Sequence, residues 1–287
     1  MNKKLIIPLV VIGFFLAGVI LVSCLNSGKD SEQASQNATN SSEKSSSQPL
    51  NLTVFVDLSD RIEKEKDNLK QFDKDQTILN ALIESFIDKQ QKEGFQKSQD
   101  SFQLIFYPAP AGAQKYADKL CLDLSEIKGP KKKELLNFKS SHEQNIKELY
   151  ENALKTKEYF GSDIWGFFFK DKVRDYYKDG YRNVIVFLSD GYIFDANNKI
   201  KQNGNEYSYL LPQTLAVKDS NLIPCKISNS NFELLFIECN PNPQTDFIKM
   251  KSVLETWFQE MGIPSIDIQD TDLPANTIKH LNNSIFK

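Results

Sequence analysis

Asn183-Val184-Ile185-Val186-Phe187-Leu188 runs straight into Ser189-Asp190-Gly191, and the reading of this stretch decides the fold. A run of β-branched and aromatic residues without polar alternation is a strand buried on both faces, and the Asp-Gly behind it is a turn. The same arrangement stands near residue 51, where Leu52-Thr53-Val54-Phe55-Val56 ends on Asp57. Working outward, Ser101 to Tyr107 and Phe232 to Cys239 read as further buried strands. Lys119 to Leu124 alternates like an edge strand, and Ser265 to Ile268 is a short one. Helical spacing separates them. Asp75 can cap a helix carrying Ile78, Leu79, Leu82, Ile83, Phe86 and Ile87. Ser141 and Gln144 form a capping box ahead of Ile146, Leu149, Tyr150 and Ala153. A helix over 249–261 and another near 276–286 complete the set. Strands alternating with helices predict an α/β domain, with a doubly wound, mostly parallel sheet and helices on both faces.

The chain begins differently. Met1-Asn2-Lys3-Lys4 is a short basic segment, and Leu5 to Val22 is almost wholly apolar, the order of a secretory signal. The run ends Leu21-Val22-Ser23-Cys24, which resembles the lipobox of bacterial lipoproteins. That resemblance implies a signal peptide over 1–23, cleavage before Cys24, and acyl chains on Cys24 as a membrane anchor. One chain holds a protein only marginally, so stable anchoring takes more than one. Leu25 rather than Asp follows the cysteine, which by the same resemblance favours the outer membrane where the cell has two; a position in the periplasm or at the cell surface is expected. Residues 24–50 are Ser, Asn, Gln, Lys and Glu with little to bury, and they read as a disordered tether. The domain proper is expected over 51–287.

Of the 287 residues, 35 are basic and 38 acidic. Loss of Lys3 and Lys4 with the signal moves the formal charge from −3 to −5, which argues against nucleic acid as a partner. Of four cysteines, Cys24 is assigned to lipid. Cys121, Cys225 and Cys239 show no zinc spacing, and Cys121 and Cys239 read as buried small hydrophobes. Trp165 and Trp257 fall at apolar helical positions. His142 and His280 have no ligand spacing and read as surface residues.

In a doubly wound sheet, binding groups gather at the C-terminal ends of strands near the switch point. Two such ends carry acids here, in Asp57-Leu58-Ser59-Asp60-Arg61 and in Ser189-Asp190-Gly191. Gly161-Ser162-Asp163 opens the helix between them. Together these segments resemble the von Willebrand factor A-type (vWA) family. Its metal-ion-dependent adhesion site joins an Asp-x-Ser-x-Ser motif, a hydroxyl from a Gly-Gly-Thr-type turn, and a later Asp-Gly. The resemblance implies Asp57, Ser59, Ser162 and Asp190 as ligands of Mg²⁺ or Mn²⁺. The last ligand would then be an Asp or Glu carboxylate of another envelope or surface protein. It also implies that the strands ending at Asp57 and Asp190 are central neighbours, flanked by the Phe106 strand and the Phe232–Cys239 strand.

Arg61 departs from the pattern by standing where the second serine belongs. Either the site keeps its metal, or the Arg61 guanidinium takes the cation's place among the carboxylates. Asp60 and Asp163 add negative charge nearby, and Glu238 and Asn240 could line the same rim. The function expected is that of a membrane-anchored binding module without enzymatic activity. Two alternatives stand beside it: a Mg²⁺-dependent hydrolase or phosphotransferase using Asp57, and a structural envelope lipoprotein with an inactive site. The first would want a second Asp where Ser59 stands.

Overall fold

Leu52, Val54 and Val56 face one side of the central strand and Phe55 the other, so this strand is apolar on both faces and needs helices over each. The structure is a computed structural model. It describes residues 48–66, 68–109, 112–156, 163–193, 199–202, 205–208, 231–240, 247–263 and 265–286. The expected signal, Cys24, most of the tether, Ser162 and Cys225 lie outside the described residues.

The strands are β1 (Leu50–Val56), β2 (Glu65–Lys66), β3 (Leu69–Lys70), β4 (Ser101–Ile105), β5 (Cys121–Asp123), β6 (Arg182–Leu188), β7 (Lys199–Gln202), β8 (Asn205–Ser208), β9 (Phe232–Cys239) and β10 (Ser265–Asp270). The helices are α1 (Gln71–Glu93), α2 (Gln114–Lys119), α3 (Lys131–Thr156), α4 (Ile164–Phe169), α5 (Phe247–Glu260) and α6 (Pro274–Ile285). A six-stranded sheet has the order β10-β9-β6-β1-β4-β5, and β2–β3 and β7–β8 are separate two-stranded ribbons. Only β5 runs antiparallel within the large sheet. This is a doubly wound α/β fold whose strand order reverses between β1 and β6. As the sequence implied, β1 and β6 are parallel central neighbours with β4 on one side and β9 on the other.

Each face has its own core. Val54, Val186 and Ile237 meet Leu82, Phe86 and Leu149 under α1, α3 and α6. Phe55, Phe187 and Phe236 meet Phe167, Trp257 and Phe258 under α4 and α5. Phe187 stacks on Phe236 at 5.4 Å between ring centroids, in the middle of the second core. Truncating such a ring to alanine costs about 3–5 kcal/mol.

Several local expectations are corrected. Helix α1 begins at Gln71, so Asp75 is not a cap but a buried residue one turn inside. Helix α3 begins at Lys131, behind Pro130, because the Lys-Lys-Lys-Glu-Leu run already favours helix. Ser141 is therefore interior, and its hydroxyl donates to the Asn137 carbonyl at 3.0 Å rather than capping. Cys121 is exposed, since edge strand β5 turns Leu122 inward instead; Cys239 is buried as expected. Trp257 is core, but Trp165 is only half-buried, stacked on Phe169. His142 is buried between helices rather than on the surface, and half-buried His280 lies 2.6 Å from Asp267. Among the described residues no helix is long and apolar enough to cross a membrane.

Candidate functional site at the strand ends

The register pairs Val56 with Leu188, so β1 and β6 stop at one level and the next residues of each meet in one crevice. The Asp57 backbone N–H donates to the Leu188 carbonyl at 3.0 Å and seals the junction. Asp57 is 1% exposed. Its Oδ1 accepts the Ser59 backbone N–H at 2.9 Å, and its Oδ2 accepts the Ser189 hydroxyl at 2.7 Å. Ser59 then caps a 3₁₀ turn over Asp60–Glu63 by accepting the Arg61 N–H. That turn throws Arg61 inward and leaves Asp60 exposed.

Arg61 is 1% exposed, an extreme for this residue. Its Nε donates to the Asp57 carbonyl at 3.0 Å and lies 3.6 Å from Asp57 Oδ2. One terminal nitrogen donates to Asp75 at 2.6 Å and to the Leu188 carbonyl at 2.8 Å. The guanidinium therefore pairs with Asp57 and Asp75 beneath the strand ends and does not stand between Asp57 and Asp190. Asp75 also accepts from Tyr150 and Gln71, each at 2.9 Å. The sequence reading gave Asp75 no part in the site. Its signal was an acid on the apolar stripe of α1, in line with Ile78, Leu79 and Leu82.

Of the two acids that Arg61 could have served, Asp57 keeps Arg61 and Asp190 takes Lys64 instead. Its ammonium pairs with Asp190 Oδ2 at 2.9 Å, while its side chain stays 48% exposed. Asp190 is 6% exposed, and its Oδ1 accepts the Tyr192 N–H at 3.3 Å. Gly191 takes φ +92°, and a Cβ there would lie 2.5 Å from the Met250 sulfur, so glycine closes this turn.

Glu238 is turned inward as well. Residues Phe236 to Cys239 of β9 pair with only Ile268 to Asp270 of β10, so β9 carries one extra residue, and Glu238 adopts φ +64°. Such a bulge re-aims a side chain. Without it, Glu238 would share the apolar face of Leu234 and Phe236; with it, the carboxylate meets Lys74 at 2.7 Å, Thr271 at 2.7 Å and Thr277 at 2.8 Å. Asn240 joins the rim through its backbone N–H, which donates to the Asp190 carbonyl at 3.0 Å. Asp163 caps α4, accepting the Gly166 N–H at 2.7 Å, and its own N–H ties that helix to the Tyr107 carbonyl.

Burial raises the Asp57 carboxyl above its ordinary range, with Arg61 opposing and Asp190 adding to the rise. Burial likewise raises Asp75 despite Arg61, Gln71 and Tyr150. For Lys64 burial lowers the pKa, and the Asp190 carboxylate more than offsets it, so the ammonium holds its proton above the usual range. A hard cation at this place takes carboxylate and hydroxyl oxygens. Among the described donors, both Asp57 oxygens are engaged and Asp190 Oδ2 holds the Lys64 ammonium. These residues fit Mg²⁺ or Mn²⁺ only after Lys64 moves away. A separate shallow cavity of about 400 Å³ lies along β5, lined by Cys121, Asp123 and Glu134, away from this crevice.

No family model matches the chain, and no curated protein matches it. Two crystal structures of the pilus adhesin SpaC from Lactobacillus rhamnosus GG are similar over 84% of this chain. One has 12% identity and a TM-score of 0.41; the other, in an open conformation, has 13% and 0.39. The chain spans 30% of the adhesin's length.

Proposed function

We propose that this chain is a lipid-anchored, vWA-like binding module of the bacterial envelope that recognises an acidic side chain of a partner protein through Lys64. The observation that carries this reading is the half-exposed Lys64 ammonium on buried Asp190, at the switch-point crevice. An ammonium has three donors and Asp190 uses one, so others are free to meet an incoming carboxylate. Lys64 thus does, as a fixed charge, the task that the resemblance gives to a metal, and recognition needs no divalent ion. The phosphotransferase alternative needs a free Asp57 carboxylate as nucleophile, and both of its oxygens are hydrogen-bonded in a buried setting. Anchoring through Cys24 is part of the same reading. Metabolic labelling with a fatty-acid analogue should mark the wild type and not Cys24→Ala.

The binding claim is tested in cells with a photo-crosslinking amino acid at exposed Asp60, beside the crevice. The expected result is one dominant protein adduct that persists in chelator and is lost with Lys64→Glu. An adduct indifferent to Lys64→Glu, or abolished by chelator, overturns this assignment. No adduct at all favours a purely structural lipoprotein.

A further inference from the structure

His142 of α3 is 1% exposed, and neither ring nitrogen has a hydrogen-bond partner. An imidazole carries a donor and an acceptor or two donors, and leaving such groups buried and unpaired is destabilising. The ring lies 6.3 Å from that of Phe138 in the packing between helices. Beside it are the carboxylates of Glu84, from α1, and of the adjacent Glu143, both exposed. One ligand atom from each of the three residues lies within 4.8 Å of the other two. Among the described residues this is the one group of His, Cys, Asp and Glu side chains so placed.

We infer that Glu84, His142 and Glu143 form a binding site for a first-row transition-metal ion of the Zn²⁺ kind, bridging α1 and α3. Neither carboxylate hydrogen-bonds to the ring, and a small rotation of the two exposed glutamate side chains brings all three ligand atoms to bonds of about 2.0–2.2 Å around one ion. An imidazole with two carboxylates suits zinc and its neighbours, whereas magnesium and calcium take oxygen alone. Two glutamates neutralise a dication. Three protein ligands leave the fourth tetrahedral position to water, on the exposed side. Asn80, one turn before Glu84 on α1, also has a buried side-chain oxygen without a hydrogen-bond partner. The site is distinct from the strand-end crevice, since Glu84 lies about 14 Å further along α1 than Asp75 at 1.5 Å per residue. Its consequence is mechanical: an ion here ties the helix that carries Asp75 to the one that carries Tyr150.

The test uses the full chain without a histidine tag, freed of metal by chelator, titrated with ZnCl₂ by calorimetry and followed by melting. The expected result is one equivalent bound, with a midpoint rise of about 5–10 °C at free zinc a hundredfold above Kd. Magnesium should give no rise. Glu84→Gln with Glu143→Gln changes only exposed side chains, so the variant should fold and bind zinc at least about tenfold more weakly. Co²⁺ in place of zinc should give a tetrahedral visible spectrum in the wild type that the double variant lacks. Absence of saturable binding overturns the inference, as does zinc affinity that survives the double variant. Affinity lost on Asp190→Asn instead would place the ion in the crevice and equally refute it.

Discussion

Arg61→Met keeps the unbranched apolar stem of the side chain and removes its charge and every donor. The wild-type guanidinium serves Asp75 at 2.6 Å, the Leu188 carbonyl at 2.8 Å and the Asp57 carbonyl at 3.0 Å. Breaking a buried ion pair from one side costs about 3–5 kcal/mol, because the remaining charge is left uncompensated. Each orphaned carbonyl adds up to about 1–3 kcal/mol, and these losses overlap as the site relaxes. We expect a loss of about 4 kcal/mol, or about 8–16 °C in thermal midpoint for a domain of this size. Urea denaturation should show the lowered midpoint with an unchanged slope. Added Mg²⁺ should not rescue the variant, because the vacated space is enclosed by β1, β6 and α1 and not open to the crevice. Asp75→Asn removes the charge that Arg61 balances, so the double variant should recover about 2 kcal/mol relative to additivity. A loss below about 1 kcal/mol, strict additivity, or recovery with Mg²⁺ would each refute this account of the buried pair.

Three other perturbations follow from the same geometry. Glu238→Gln leaves Lys74 buried without its counter-charge and should cost about 2–3 kcal/mol in urea unfolding; a neutral result would show that the bulge, not the carboxylate, holds that strand end. Gly166→Ala places a Cβ 2.1 Å from Asp163 Oδ2, so the α4 cap must break, and a loss of about 1–2 kcal/mol is expected. The pH dependence has a fixed sign. The Asp57 carboxyl is raised in the folded state, so its favourable contribution is present below about pH 4, its unfolded value, and is lost as pH rises through the folded one. Asp57→Asn should therefore gain on the wild type between about pH 4 and pH 7 in parallel urea titrations; the opposite trend would mean that Arg61 outweighs burial.

The doubly wound class was legible because its cues are local. Val184 to Leu188 and Leu52 to Val56 have one reading each, the first running into Ser189-Asp190 and the second onto Asp57. The placement of Asp57 and Asp190 in one crevice followed from the strand order. The cations were not legible, because no local rule orients them. Arg61 and Lys64 are three residues apart; Arg61 lies within the 3₁₀ turn and goes inward, while Lys64, where the turn ends in extended backbone, goes outward. Glu238 reads as a solvated strand end until the bulge turns it toward α1, and no glycine advertises that bulge. Ser141 satisfies a capping pattern inside a longer helix, where its hydroxyl finds the Asn137 carbonyl instead. His142 reads as a surface residue because it stands beside a capping pattern and has no ligand spacing; the face it shares with Phe138 and Leu149 carries the contrary signal.

The polar residues at the start of α1 organise the crevice from behind. Asp75 holds Arg61 under the end of β1, and Lys74 holds Glu238 at the end of β9. The Gln71 N–H donates to the Lys64 carbonyl at 2.8 Å, so the residue that presents the ammonium is fixed at its backbone to the same helix. Buried ion pairs of this kind contribute little net stability compared with apolar packing, and their retention needs another reason. Here they set the positions of three strand-end groups against one rigid element. In the proposed function, a partner carboxylate meeting Lys64 would have no loop to order, only one half-exposed side chain, which keeps the entropic cost of association low. Under the proposed reading, the charge that meets the partner and the charges that define the fold are linked through one turn of helix. Weakening that turn should therefore alter binding and stability together.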